Sequence, residues 1–273
     1  MRGVIVGALL VVGLLVLAAL PHRDPLAPDI DHGLTAMGAP LPPSSHAVLG
    51  TDDLGRDVFA RVSAGAATSL ELATLSTLLA LLIGLAVGLT AGYAGGAVDG
   101  ALMRLVDLVL AFPFLLLAIL LAALLREAEL ASATAPVVLT LGIVGWTTTA
   151  RVIRGKTLVL ATSEYVLAAR ALGCSPVRVL VRHVLPNVAG LVAVLAALAF
   201  AQNLLAESVL SYLGLGPPPP APTWGRMLYE GRAYYRSAPW LTIAPGLAIL
   251  AAVVAFNLVA EGLRERFDPK ERT

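Results

Sequence analysis

About six apolar stretches, each long enough to cross a bilayer as a helix, run along the 273 residues, and few folds can accommodate them. Residues 3–20 form an unbroken apolar run, roughly 27 Å long at about 1.5 Å per helical residue. Further spans are predicted at about residues 66–91, 101–125, 133–150, 188–210 and 239–260. With 58% hydrophobic and only 14% charged residues, and a mean hydropathy of +0.85, the chain has too little polar surface for a soluble domain. The expectation is an all-α membrane protein with about six transmembrane helices. Arg2 precedes the first run as in a secretory signal. The run ends Leu17-Ala18-Ala19-Leu20-Pro21, without a good small-residue cleavage site, so an uncleaved first span is expected.

Several function classes drop out on residue types alone. Cys174 is the single cysteine, so no internal disulfide can form. Lys156 and Lys270 are the only lysines and neither follows G-x-x-x-x-G, so the phosphate-cradling loop of an ATPase is missing. No H-E-x-x-H, G-x-S-x-G or metal-spaced His/Cys set occurs, so neither catalytic residues nor a metal site are expected. Nor does anything point to a nucleic-acid partner. Energy for any transport must come from another chain or from an ion gradient.

Charge orients the spans. Arg2, Arg104, Arg151, Arg154, Lys156, Arg170, Arg178, Arg182, Arg264, Arg266, Lys270 and Arg272 fall in segments placed inside. The seven other cations, Arg23, Arg56, Arg61, Arg126, Arg226, Arg232 and Arg236, fall outside. This bias puts both termini in the cytoplasm. Three parts follow. Residues 1–65 hold the first span, an extracytoplasmic segment and an interfacial helix. Residues 66–264 form the transmembrane core, and 265–273 a cytoplasmic tail.

The connecting segments carry local signals. Residues 21–50 are proline-rich and contain His22, His32 and His46, too scattered for a designed metal site, so an extended outer segment is predicted. From Thr51, T-D-D-L-G-R-D-V-F-A-R-V predicts a short interfacial helix capped by Thr51 or Asp52, with Leu54, Val58 and Val62 on one face. Gly84, Gly88 and Gly92 recur every four residues, which permits close helix approach. Gly95-Gly96 predicts a tight inner turn. Phe112-Pro113-Phe114 should kink the third span, and Pro245 should break the sixth. In the outer loop 211–237, the run Pro217 to Pro220 should be extended and semi-rigid.

Residues 161–187 form a polar, basic island between two spans, A-T-S-E-Y-V-L-A-A-R-A-L-G-C-S-P-V-R-V-L-V-R-H-V-L-P-N. Its punctuation predicts two short helices. Thr162 or Ser163 can cap the first, and Gly173 can end it in a left-handed turn. Ser175 can cap the second with Pro176 at its first position, and Pro186 should stop it. Such a knob on the cytoplasmic face is expected to dock a partner.

This island resembles the EAA loop of ABC-importer permeases, with Leu167, Ala168, Ala169, Gly173, His183 and Pro186 on the motif. Leu167 stands where the motif has its Glu, and Glu164 lies one helical turn earlier. Other stretches resemble the permeases of dipeptide, oligopeptide and nickel importers, in particular their C-type subunit. These are L-G-T-D-D-L-G-R-D-V-F (49–59), A-G-Y-A-G-G-A-V-D (91–99), R-L-V-D-L-V-L-A-F-P (104–113), R-H-V-L-P-N (182–187), S-Y-L-G-L-G-P-P (211–218), P-T-W-G-R-M-L (222–228) and P-G-L-A-I-L (245–250).

The resemblance implies a multi-pass protein of the bacterial inner (plasma) membrane. It implies a paralogous permease partner, two ATPase subunits that carry ATP and Mg, and an extracytoplasmic binding protein. This chain would bind no cofactor itself. Coupling to the ATPases is expected at Glu164, Leu167, Ala168, Ala169, Arg170, Gly173, His183 and Pro186. Ionisable and amide groups within spans make Asp107, Gln202, Asn203 and Glu207 candidates for the solute path, with an Arg104–Asp107 pair as the alternative for Asp107. Pro218, Pro220 and Trp224 are expected at the binding protein. Peptides are the expected cargo, with nickel, glutathione or another small solute as alternatives. An ion-coupled secondary transporter is a distant one.

Overall fold

The computed structural model describes residues 2–19, 23–128 and 132–267, and among them it is helical with no strand. Four helices are long and apolar enough to cross a bilayer. They are α2 (Val58–Ala94), α5 (Ala135–Ala161), the continuous rod Pro176–Tyr212 and α10 (Trp240–Phe267). A fifth crossing is the bent pair α3 (Gly96–Leu110) and α4 (Phe114–Glu127). The shorter apolar α1 (Arg2–Ala19), predicted from sequence as a first span, packs along α10 and α2. Two short helices, α6 (Glu164–Ala171) and α9 (Trp224–Gly231), lie in the connections. The rod itself joins α7 (Pro176–Val179), a π turn (Leu180–Val184) and α8 (Leu185–Tyr212). Lys270 and Arg272 of the expected tail, and His22, lie outside the described residues.

The most extensive interface joins α2 to α5, and glycine spacing explains it. A Cβ on Gly84 would meet Thr149 Cβ at 2.6 Å, one on Gly88 the Ala150 carbonyl oxygen at 2.6 Å, and one on Gly92 Thr157 Cβ at 2.6 Å. The four-residue repeat is therefore a contact seam where two backbones nearly touch, the means by which helices gain dispersion contact when lipid competes equally for apolar surface.

Four local expectations are corrected. The predicted interfacial helix from Thr51 does not form. Asp52 instead accepts hydrogen bonds from the backbone N–H groups of Leu54 and Arg56, both at 2.9 Å, closing a turn. Asp57 caps α2 through Phe59 N–H at 2.8 Å, and the helix runs unbroken into the span. Phe112-Pro113-Phe114 does more than kink its span, since α3 and α4 meet at 88°. Proline removes a donor, and the residue before it is driven out of the helical region. Pro186 does not stop the second handle helix. The preceding π turn, closed by Leu185 N–H to the Leu180 carbonyl, absorbs the misfit, and the helix continues to Tyr212. Pro245 likewise lies inside α10 without ending it.

At the end of the bundle opposite α6, residues 23–57 fold over the helix termini. Thr51 Oγ1 donates to the Gly33 carbonyl at 2.6 Å, and Trp240 Nε1 donates to the Thr51 carbonyl at 3.1 Å. Partial burial, with the neighbouring Asp52 charge, raises the Asp53 carboxyl above its ordinary value, against the pull of Arg56. A raised carboxyl penalises the folded state once ionised, and the penalty disappears as pH falls through its folded value. Asp53→Asn should therefore raise the thermal midpoint in detergent slightly at neutral pH. That gain should shrink towards zero on acidification, which a pH series of melts would read.

Candidate functional site: a two-helix handle and a cleft at the broken span

The handle is built by two local devices. Gly173 (φ 79°) ends α6 in the left-handed region, with Cys174 N–H on the Ala169 carbonyl at 3.1 Å and Gly173 N–H on the Arg170 carbonyl at 3.0 Å. These two bonds make a Schellman closure. Ser175 then caps α7 through Arg178 N–H at 3.4 Å, with Pro176 at the first helical position. The chain thus turns from one helix to the next through Leu172–Ser175.

The handle is seated firmly. Val166, Ala169, Val179 and Val184 are buried together and pack against Leu89 and Tyr93 at the end of α2. The Arg170 guanidinium lies 4.7 Å from the Tyr93 ring centroid, a cation–π contact, and the Tyr165 and His183 rings are 6.5 Å apart. The opposite face is apolar and uncovered. Leu172 is 85% exposed, Val177 70%, Val181 58% and Leu167 49%. Of the residues expected to couple to the ATPases, Ala169 faces inward, whereas Glu164, Ala168, Gly173 and Pro186 are exposed. The exposed apolar positions 172, 177 and 181, and the seat residue Tyr93, were not singled out from sequence. Their signal is apolar side chains inside an otherwise basic loop.

A second feature sits at the α3–α4 break. A cleft of about 420 Å³ is lined by Phe112 and Phe114 of the break, Thr147 and Thr148 of α5, and Gln202 and Asn203 of α8, among apolar neighbours. No charged residue lines it. Gln202 is exposed there, while buried Asn203 donates to Thr77 Oγ1 at 3.0 Å, tying α8 to α2. The other two path candidates lie elsewhere. Asp107 pairs with Arg151 of α5 at 2.6 Å, both well exposed, so the expected Arg104 partner is replaced. Glu207 is fully buried on another side of α8 and accepts from Ser211 Oγ at 2.6 Å, with Ser69 and Ser208 beside it. One turn along α5 from Arg151, Arg154 grips Asp99 in a two-pronged ion pair between α5 and α3.

Beyond the end of α8 away from the handle, Pro218 and Pro220 are exposed but Trp224 is not. Its side chain is fully buried, with the indole N–H on the Val62 carbonyl at 3.0 Å and the backbone N–H on Ser69 Oγ at 3.2 Å. Trp224 therefore anchors α9 into the bundle and cannot itself touch an external partner.

Four long apolar spans, a fifth broken beside a polar-lipped cleft, and an uncovered two-helix handle are the marks of a multi-pass membrane protein. The sequence pattern described as "Binding-protein-dependent transport system inner membrane component" matches residues 84–273. The chain is 35% identical over 231 residues (85% of this chain, 74% of the relative) to the dipeptide transport system permease protein DppC of Alkalihalophilus pseudofirmus. It is 42% identical over 228 residues (84% and 74%) to the glutathione transport system permease protein GsiD of Shigella flexneri. With the oligopeptide transport system permease protein OppC of Bacillus subtilis it shares 36% over 265 residues (97% and 85%). The chain belongs to the inner-membrane permease components of binding-protein-dependent ABC importers, in the peptide and glutathione branch. It is a multi-pass protein of the bacterial inner membrane.

Proposed function

We propose that this chain is one of two related permease subunits of an ATP-driven importer of di- or oligopeptides, driven by separate ATPases that grip the handle from the cytosol. The observation that carries the reading is the handle's form. It is rigidly seated on α2 by Val166, Val179 and Tyr93, yet it presents Leu172, Val177 and Val181 uncovered. A solvated connecting loop has no use for that much apolar surface, and a partner must cover it. Nucleotide-driven closure of the ATPases would shift the permease between two packings through this contact.

The cleft favours peptides over a metal ion. A hydrated divalent cation is stabilised by carboxylates or imidazoles, and the lining offers only hydroxyl, amide and apolar groups. Those groups suit a neutral amide backbone with mixed side chains. The relatives' names divide between dipeptide, oligopeptide and glutathione, which are all peptides in the broad chemical sense. The test is uptake into proteoliposomes holding the permease pair, the ATPases and the cognate binding protein. ATP-dependent accumulation of a labelled di- or oligopeptide, insensitive to an ion-gradient uncoupler, is expected. Uptake that collapses with the gradient while ATP stays high would favour a secondary transporter, and uptake of nickel alone would overturn the cargo.

A further inference from the structure

The end of the molecule opposite the handle carries a largely buried charge cluster. Arg61, 3% exposed, donates through Nη1 to Asp52 Oδ2 at 2.6 Å and through Nη2 to Glu230 Oε2 at 2.8 Å. Arg56 Nε shares the same Asp52 oxygen at 2.6 Å, and Arg226 Nε holds the other Glu230 oxygen at 2.8 Å. Taking such charges out of water is costly, and well-packed apolar residues would often do as well for stability. The cluster joins three pieces, the 51–57 turn, the start of α2, and α9.

Helix α9 itself is keyed into three spans. Trp224 reaches Val62 and Ser69 of α2. A Cβ on Gly225 would fall 2.2 Å from the Ser208 carbonyl of α8, and one on Gly231 would fall 2.9 Å from Leu241 of α10. It therefore lies across the end of the bundle, not along its lipid-facing flank. Its outer side continues into a tyrosine–arginine surface. Arg232 sits 3.4 Å from the Tyr229 ring centroid, Tyr212 meets Tyr229 edge-on at 6.0 Å, and Arg236 lies 5.4 Å from the ring of the exposed Tyr235. Among the described residues, neither Arg232 nor Arg236 forms an ion pair.

We propose that Tyr229, Arg232 and Arg236 form the seat for an acidic patch on the extracytoplasmic binding protein, and that the Asp52–Arg61–Glu230 cluster transmits its docking from α9 to α2. This rests on the importer reading above. Two exposed cations on aromatic supports complement an acidic protein surface, and charge complementarity of this kind sets encounter rate and affinity. Glu230 acts through its neighbours and is a positioning residue. Arg232 and Arg236 make the contact.

The experiment uses the complete importer in nanodiscs and reads ATPase rate against the concentration of loaded binding protein. Arg232→Glu with Arg236→Glu should raise the half-saturating concentration on the order of ten-fold at low salt, less at high salt, with the saturated rate kept. Arg232→Lys with Arg236→Lys should largely restore the wild-type curve. Glu230→Gln should leave half-saturation in place and lower the saturated rate several-fold, a split that simple loss of folded protein would not produce once rates are normalised to intact complex. Charge-reversal and Glu230→Gln curves that overlay the wild type would overturn the proposal. So would a charge-reversal phenotype seen only as altered retention of anionic lipid, which would make the surface a headgroup site. A wild-type complex that no binding protein stimulates would instead remove the importer reading beneath it.

Discussion

Gly173→Val is expected to yield a permease that folds and joins its complex but loses more than nine-tenths of its transport. The residue sits at φ 79°, a conformation that a β-branched side chain adopts only at a cost of about 1–3 kcal/mol. Nothing beyond its chain neighbours lies within 4 Å of where its Cβ would be, so the added Cβ meets open space. All of the cost therefore falls on the turn that sets the angle between α6 and α7. The seat on Leu89 and Tyr93 lies on the other side of the handle and should survive. Basal ATP hydrolysis by the partner chains should persist, while stimulation by loaded binding protein disappears. Gly173→Asn, which tolerates positive φ better, should retain much of the coupling. Normal stimulated hydrolysis in the valine variant would remove Gly173 from the coupling path.

Gly88→Val should have the opposite signature, little folded protein at all. Its Cβ would lie 2.6 Å from the Ala150 carbonyl oxygen, 2.9 Å from Ile153 Cβ and 3.1 Å from the Arg154 backbone nitrogen. Two of these three are backbone atoms of α5 and cannot rotate aside, so the helices must separate along the seam. Overpacking of this kind costs about 1–3 kcal/mol or more, a large share of a typical total stability of about 5–15 kcal/mol. Gly155→Val, on α5 with no atom near its Cβ, is the control and should be tolerated. Yield and thermal midpoint in detergent, compared across the pair, read the effect. Equal midpoints would mean that α2 and α5 do not pack as described.

What could be read from the sequence was mostly local. Apolar length located the four long spans and the broken fifth, because every span must satisfy its backbone internally and needs a long apolar helix to do so. The handle was legible through Gly173, Ser175 and Pro176, whose preferences act within one helical turn. The continuation past Pro186 was not, since a π turn depends on how the following helix is held. The 88° angle at Pro113 was equally hidden, because proline dictates a break but tertiary packing sets its direction. The glycines of α2 showed a spacing without a partner, and only the facing α5 reveals what that spacing contacts. The Arg61–Glu230 pair joins residues 169 apart, and no window of sequence shows such a contact. Trp224 misled for a further reason. A tryptophan in a proline-rich outer loop suits an interface as well as a core, and its burial follows from the groove that Gly65 and Gly225 open for α9.

The central claim is that the handle projects into the cytosol and is held there by an ATPase. It is tested most directly with Leu172→Cys, at an 85% exposed position, in a background where Cys174 is replaced by serine. In intact cells the new thiol is expected to resist a membrane-impermeant reagent, and in the purified complex a short bifunctional cross-linker is expected to join it to an ATPase subunit. Labelling from the outside, or a complex in which position 172 cross-links to no nucleotide-hydrolysing chain, would contradict the account.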